Sequence, residues 1–294
     1  IANIDTGLTF ERERTWFQTP LIQTLEPRLF YNYIPSRRQN HLPNFDSSEN
    51  SFSYEQLFRE NLYSGSDRIN AANSVSLGVQ SRILHADTGS EIFRAGIGQK
   101  FYLSRDDVLL DGSTGTRDRH RSDVALFAGG QIAPNWFADT QYHWNANQKN
   151  TERFDIGVRY NPEPGKILSA RYKYNRNTEI YAGFFGKLQH IDLAAQYPIN
   201  QNLYAVGRLN YSISPWVALE QTLGLEYKNP CGCWSVSFVG QRYVDGIRNG
   251  RSSHKSAVFL TLQLKNLSNI GNNPYEQLRL GIPGYSKTNE VFTR

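Results

Sequence analysis

The chain has 294 residues, 39% hydrophobic and 13% aromatic, with a mean hydropathy of -0.56 and a net charge of +5 scattered along its length. Its longest apolar runs, such as Val124 to Ala128, fall far short of the roughly 20 residues a membrane helix requires. The scattered charge and the lack of a reading motif speak against nucleic-acid binding, and two cysteines exclude a disulfide-dense scaffold or a self-sufficient four-ligand zinc site.

Strand periodicity begins at once. Ile4, Thr6, Leu8 and Phe10 alternate with Asp5, Gly7, Thr9 and Glu11, the period-two signal of a strand with two unlike faces. Next, Leu25, Leu29, Tyr31 and Tyr33 stand opposite Glu26 and Arg28, and Val75, Leu77, Val79 and Ile83 opposite Ser74, Gln80 and Arg82. Phe93, Ala95, Ile97, Phe101 and Leu103 face away from Arg94, Gly96, Gly98 and Lys100. Three further rows follow: Val124, Leu126 and Ile132; Trp136, Ala138, Tyr142 and Trp144; Phe154, Ile156, Val158 and Tyr160.

The last part of the chain continues the pattern. Its rows are Leu168 to Tyr174, Ile191 to Tyr197, Leu203 to Tyr211, then Val217, Leu219, Leu223 and Leu225, then Trp234, Val236 and Phe238, then Val258, Leu260, Leu262 and Leu264. The count is about thirteen strands, many near the roughly 9 to 11 residues that cross a bilayer at a tilt. Low mean hydropathy with many aromatics is what such strands produce when one face meets lipid and the other water. The expected fold is therefore all-β, a transmembrane antiparallel β-barrel. Tyr and Trp near strand ends suit interfacial girdles and favour the membrane over a soluble β-sandwich or adhesin.

Loop lengths agree with that orientation. Short turns at Ala133 to Asn135, Asn161 to Gly165, Ile199 to Asn202 and Asn229 to Gly232 carry the Pro, Gly and Asn of tight turns and are expected in the periplasm. Longer segments, Pro35 to Ala72, Arg105 to Arg121, Asn175 to Lys187 and Asp245 to Ser253, are expected as external loops, with a tight Ser214 and Pro215 connection as the exception. An odd strand count and an opening on Ile1 lead to the expectation that an upstream portion of the barrel precedes this chain.

No GxSxG, HExxH, P-loop or GxGxxG element occurs, and the histidines lack metal-ligand spacing, so neither enzyme activity nor a metal site nor a cofactor is expected. The lumen-facing register carries Arg28, Arg82, Arg94, Lys100, Arg153, Arg159, Arg171, Lys173 and Arg208 against Asp123, Asp139, Asp155, Asp192, Glu220 and Glu226. A mixed polar wall suits any barrel interior. Some of these cations are also candidate contacts for a phosphorylated ligand, because Arg donates two hydrogen bonds to phosphate at once. Pairs such as Asp118 between Arg117 and Arg119 read as solvated loop charges.

Several stretches are specific beyond periodicity: LEPRLFYNYIP at Leu25 to Pro35, SYEQLFREN at Ser53 to Asn61, SGSDRINAANSVSLGVQSR at Ser64 to Arg82, and GIGQKFYL at Gly96 to Leu103. To these add CGCW at Cys231 to Trp234, FLTLQLKNL at Phe259 to Leu267 and GIPGY at Gly281 to Tyr285. End to end, the sequence resembles the C-terminal half of the LPS-assembly protein family (LptD). The resemblance implies an outer-membrane barrel that, with the lipoprotein LptE as its plug and a periplasmic bridge as its supplier, inserts lipopolysaccharide or lipooligosaccharide into the outer leaflet. The alternative is a general porin or a receptor-type transporter.

On this reading residues 1–267 are the barrel half and 268–294 a periplasmic C-terminal tail. The resemblance also implies that the final strand, with Ser256, Val258, Leu260, Leu262 and Leu264, is one side of a lateral seam with no partner of its own in this chain. It implies too that Cys231 and Cys233 form disulfides with a periplasmic domain. Here Gly232 separates two cysteines that the family usually has adjacent, so two free thiols or one local disulfide are the alternatives.

Overall fold

The computed structural model describes residues 1–16, 18–111, 120–181, 184–214, 216–248, 251–264, 268–271 and 275–286, and these are all-β apart from one short helix and a 3-10 turn. Among them no helix is long and apolar enough to cross a membrane. The chain forms two compact units, Ile1–Gly130 with Gln141–Glu152, and Gln131–Thr140 with Arg153–Arg294.

In the first unit β1 (Ala2–Gly7) and β2 (Phe10–Trp16) both pair with β3 (Thr19–Ile34), which pairs in turn with β4 (Ala72–His85), then β5 (Glu91–Tyr102) and β6 (Val124–Ala133), all antiparallel. The expected first strand is thus two. The ladder breaks opposite Pro27, which has no N–H to donate; only its carbonyl serves, accepting from Leu8 N at 3.1 Å. β7 (Trp136–Asn145) contributes residues to both units, as does β6, whose residues from Gln131 onward belong to the second.

The segment between β3 and β4, expected as an external loop, is a folded element packed against the sheet. The 3-10 turn Glu55–Phe58 buries Leu57 and Phe58, which cluster with Tyr54, Phe30 and Ala125. Glycine makes the seat. A Cβ on Gly78 would lie 2.6 Å from Phe58 Cζ, and one on Gly98 would lie 2.8 Å from Leu57 Cδ1. Elsewhere in the segment the buried Arg68 donates from its guanidinium to the carbonyls of Gln39 and Leu42, and Tyr63 Oη donates to Val108 O at 2.8 Å.

In the second unit β8 (Asn150–Glu163), β9 (Lys166–Tyr181), β10 (Phe184–Pro198), β11 (Leu203–Ile213), β12 (Trp216–Lys228), β13 (Trp234–Arg248) and β14 (Arg251–Leu264) pair antiparallel in chain order. The expected loops at 175–187 and 245–253 are therefore mostly strand. An antiparallel ladder satisfies its backbone wherever two strands lie together, so pairing continues past the length a bilayer requires.

Two more expectations change. The final strand's edge is not wholly unpartnered: β15 (Ser268–Gly271) pairs with Thr261–Leu264, leaving β15 on only part of β14's edge. Part of the segment expected as a tail folds back. The helix α1 (Tyr275–Gly281) and the residues after it bury Leu278 and Ile282 against Ala194, Val206 and Val239. Arg117, Asp118, Arg119, Pro215 and the end of the expected tail lie outside the described residues.

Candidate functional site: a charged strand face

Pairing registers sort the strands into two faces. On one face of the first unit stand Leu25, Leu29, Leu77 and Ile97, and on one face of the second Leu168, Ile191, Leu193, Leu209, Leu225, Phe238, Val258 and Leu260, all large, apolar and exposed. These rows match the sequence reading except in β12. There a register shift puts Val217 opposite Ser212 and Ala218 opposite Tyr211, so Leu219 is the extra residue and Val217 leaves the apolar row. Sequence alternation cannot reveal a bulge, because the extra residue looks like one more step.

The opposite face of each unit carries its candidate cations, and the structure divides them into two groups. Arg28 donates to both carboxylate oxygens of Asp5, with Nε to Oδ1 at 2.9 Å, and lies over the Phe58 ring at 4.5 Å. Arg82 pairs with Glu26 at 2.7 Å, and Arg94 reaches Glu91 at 3.6 Å while lying over Phe127. In the second unit Arg171 bridges Asp139, at 2.8 Å, and the buried Asp155. Arg208 holds Asp192 in a two-bond fork, at 3.0 and 2.6 Å, and Glu220 at 2.7 Å.

The sets around Arg171 and Arg208 are largely buried and satisfy charge where a lone ion is costly, whereas Arg28–Asp5 and Arg94–Glu91 are exposed. The others differ: among the described residues, Lys100, Arg153 and Lys173 have no carboxylate partner, and Arg159 lies over the Phe137 ring at 5.2 Å. Register places Lys173 directly across from Asp155 on one side and His190 on the other, with Arg153 two pairs further along.

Part of this face is covered by the chain's own C-terminal residues, which sequence reasoning missed. Tyr285 Oη donates to Glu226, and the Gln196 amide makes a reciprocal pair with Ser286, accepting from its N–H at 3.1 Å and donating to its carbonyl at 2.7 Å. Gln196 and Glu226 are almost fully buried. The available signal was the GIPGY stretch itself, but no periodicity says which surface a non-periodic segment seeks.

Cys231 and Cys233, in the turn joining β12 to β13, are bonded to each other. Gly232 takes the left-handed φ of +64° that closes the turn, and the Cα atoms are 5.3 Å apart, within disulfide reach. This is the local disulfide that the sequence left open as an alternative.

A family model described as "LPS transport system D" (LptD) matches residues 1–203. The chain is similar to the "LPS-assembly protein LptD" of Neisseria meningitidis serogroup B (strain MC58), 53% identical over 290 residues, covering 97% of this chain and 36% of the relative. It is also similar to the protein of that name from Chromobacterium violaceum, 42% identical over 293 residues, covering 99% of this chain and 36% of the relative. The chain therefore spans little more than a third of the length of these relatives. Among solved structures, the FrpB iron transporter from Neisseria meningitidis (F3-3 variant) aligns with a TM-score of 0.40 at 12% identity, covering 91% of this chain and 49% of that one.

Proposed function

The chain belongs to the LPS transport system D (LptD) family, and from that membership we propose that it is the C-terminal part of an outer-membrane barrel that delivers lipopolysaccharide to the outer leaflet. The observation that carries this reading is the segregation of the strands into an exposed apolar face, suited to lipid, and a charged face whose cations divide into paired and unpaired groups. The apolar rows face the membrane. Lys100, Arg153 and Lys173 then line the path of a phosphorylated, acidic glycolipid, where a cation without its own carboxylate is available to a passing anion.

The partners follow from the same reading. An LptE-type lipoprotein occupies the lumen of the whole barrel, a periplasmic bridge supplies lipid through the preceding domain, and the row Ser256, Val258, Leu260, Leu262 and Leu264 lies beside the seam through which lipid leaves. Residues 268–294 begin on the periplasmic side. The relatives carry assembly names, and the role proposed is transport.

The test uses the full-length protein carrying Lys100→Gln, Arg153→Gln and Lys173→Gln together. Surface lipopolysaccharide, labelled on intact cells, is expected to fall while the amount of folded barrel in the membrane stays constant. Normal surface labelling would remove these cations from the transport path. Mass spectrometry of the purified assembly tests the plug, which is expected to co-purify as a lipoprotein.

A further inference from the structure

The apolar face of the second unit contains a groove of about 550 Å³, and we propose that it is a binding site for one glycerophospholipid of the surrounding membrane. In one ladder row Leu168, Ala195, Gly207 and Leu223 stand side by side, so two small residues lie between two leucines. The neighbouring row adds Leu193 and Leu209 as a wall, and both line the groove. The space is left open by side-chain choice. A Cβ on Gly207 would meet nothing nearer than Thr222 O at 3.7 Å and Leu223 Cδ1 at 3.8 Å, and Gly207 does not have the left-handed φ that demands glycine.

The occupant follows from chemistry and position. The groove belongs to the rows assigned to lipid, is continuous with their exposed apolar surface, and suits an acyl chain. Beyond one end of the groove, two residues along the strands from Leu168 and Ala195, Lys166 lies with Nζ 5.3 Å from the centre of the Tyr197 ring, and Trp136, which lines the groove, leans on Tyr160 with ring centroids 4.9 Å apart. Aromatic rings beside a cation are the interfacial arrangement that meets lipid phosphate. Lys166 reaches the more exposed Glu163 only at 4.0 Å. A zwitterionic head fits that pair, its phosphate toward Lys166 and its ammonium toward Glu163.

The inference rests on the membrane-facing assignment made above but not on lipopolysaccharide transport, and the two fail separately. The experiment is native mass spectrometry of the full-length protein, exchanged into vesicles of mixed phosphatidylethanolamine and phosphatidylglycerol and then progressively delipidated. One phosphatidylethanolamine is expected to be retained longest. Gly207→Leu and Ala195→Leu, which fill the groove, are expected to lose it, and Lys166→Gln to weaken it.

Gly240→Leu is the control, since Gly240 is also open, with Leu223 O at 3.8 Å from its Cβ position, but does not line the groove. Equal retention in wild type and Gly207→Leu overturns the proposal, as does equal loss in Gly240→Leu. Heat-modified gel mobility confirms that each variant is folded, and the milder Ala195→Val replaces any that is not. Normal lipid retention with failed lipopolysaccharide delivery would leave the groove standing and count against the transport reading alone.

Discussion

Asp67 shows how one exposed carboxylate organises a stretch of chain without burial. It accepts hydrogen bonds from the backbone N–H groups of Asp46 and Phe45, and these hold its carboxyl below the ordinary value of 3.8. A depressed folded pKa means that the carboxylate stabilises this arrangement at neutral pH and loses that effect as pH falls through the folded pKa. Hydrogen exchange at Phe45 and Asp46, corrected for intrinsic rates, is therefore expected to show protection at pH 7 that is lost at strongly acid pH; Asp67→Asn should lack this dependence. Unchanged protection across that range would refute the linkage. On the apolar face the expectation differs in kind: Leu193→Arg places a charge in lipid, at a cost of about 2 to 4 kcal/mol near the midplane, and should reduce membrane assembly far more than Lys173→Gln, at a position of the opposite face without an ion pair among the described residues. Urea titration of the barrel refolded into vesicles measures the difference.

At the scale of elements, strands were legible because each has unlike faces and a period of two, whereas packed non-strand segments were not. The thirteen rows read from sequence fall on strands except at Leu8 and Leu103, yet the ladder break at Pro27, the bulge at Leu219 and the short β15 left no periodic trace. The 3-10 turn Glu55–Phe58 is the clearest example. Its residues stood inside a stretch expected as external loop, while its seat was visible as Gly78 and Gly98 on the polar register, where small residues let another part of the chain approach. Gly98→Leu should consequently displace Leu57, and overpacking of this kind typically costs about 1 to 3 kcal/mol. Limited proteolysis is expected to open the segment between β3 and β4 in the variant while the strands stay protected. Resistance equal to wild type would mean that the turn does not need its glycine seat.

In the molecule as a whole, each compact unit brings a non-strand segment of its own onto the charged face of its strands: Tyr54 to Phe58 in the first, Leu278 to Ser286 in the second. The cations were legible as a set, but not their division, because ion pairing depends on which strands are neighbours and on what covers them. Arg208 illustrates this. It is tied to Asp192 and Glu220 beneath the C-terminal segment, with Nη1 3.2 Å from where a Cβ on Gly281 would lie, so α1 and the residues after it seat directly over the ion-paired set. Ile282 is fully buried there, and Tyr285 and Ser286 close the polar positions at Glu226 and Gln196. Ile282→Ala should destabilise the second unit by about 2 to 5 kcal/mol, the range for a large-to-small change at a buried site, whereas Leu280→Ala, at an exposed position of the same helix, should have little effect. Tyr285→Phe leaves the Glu226 carboxylate with one hydrogen bond fewer in a buried place, and should be destabilising although it alters no apolar contact. Thermal unfolding of the three variants in one detergent gives the ranking. If Ile282→Ala melts with Leu280→Ala and with wild type, the C-terminal segment rests on the strands without stabilising them, and its apparent seat over Arg208 has no energetic weight.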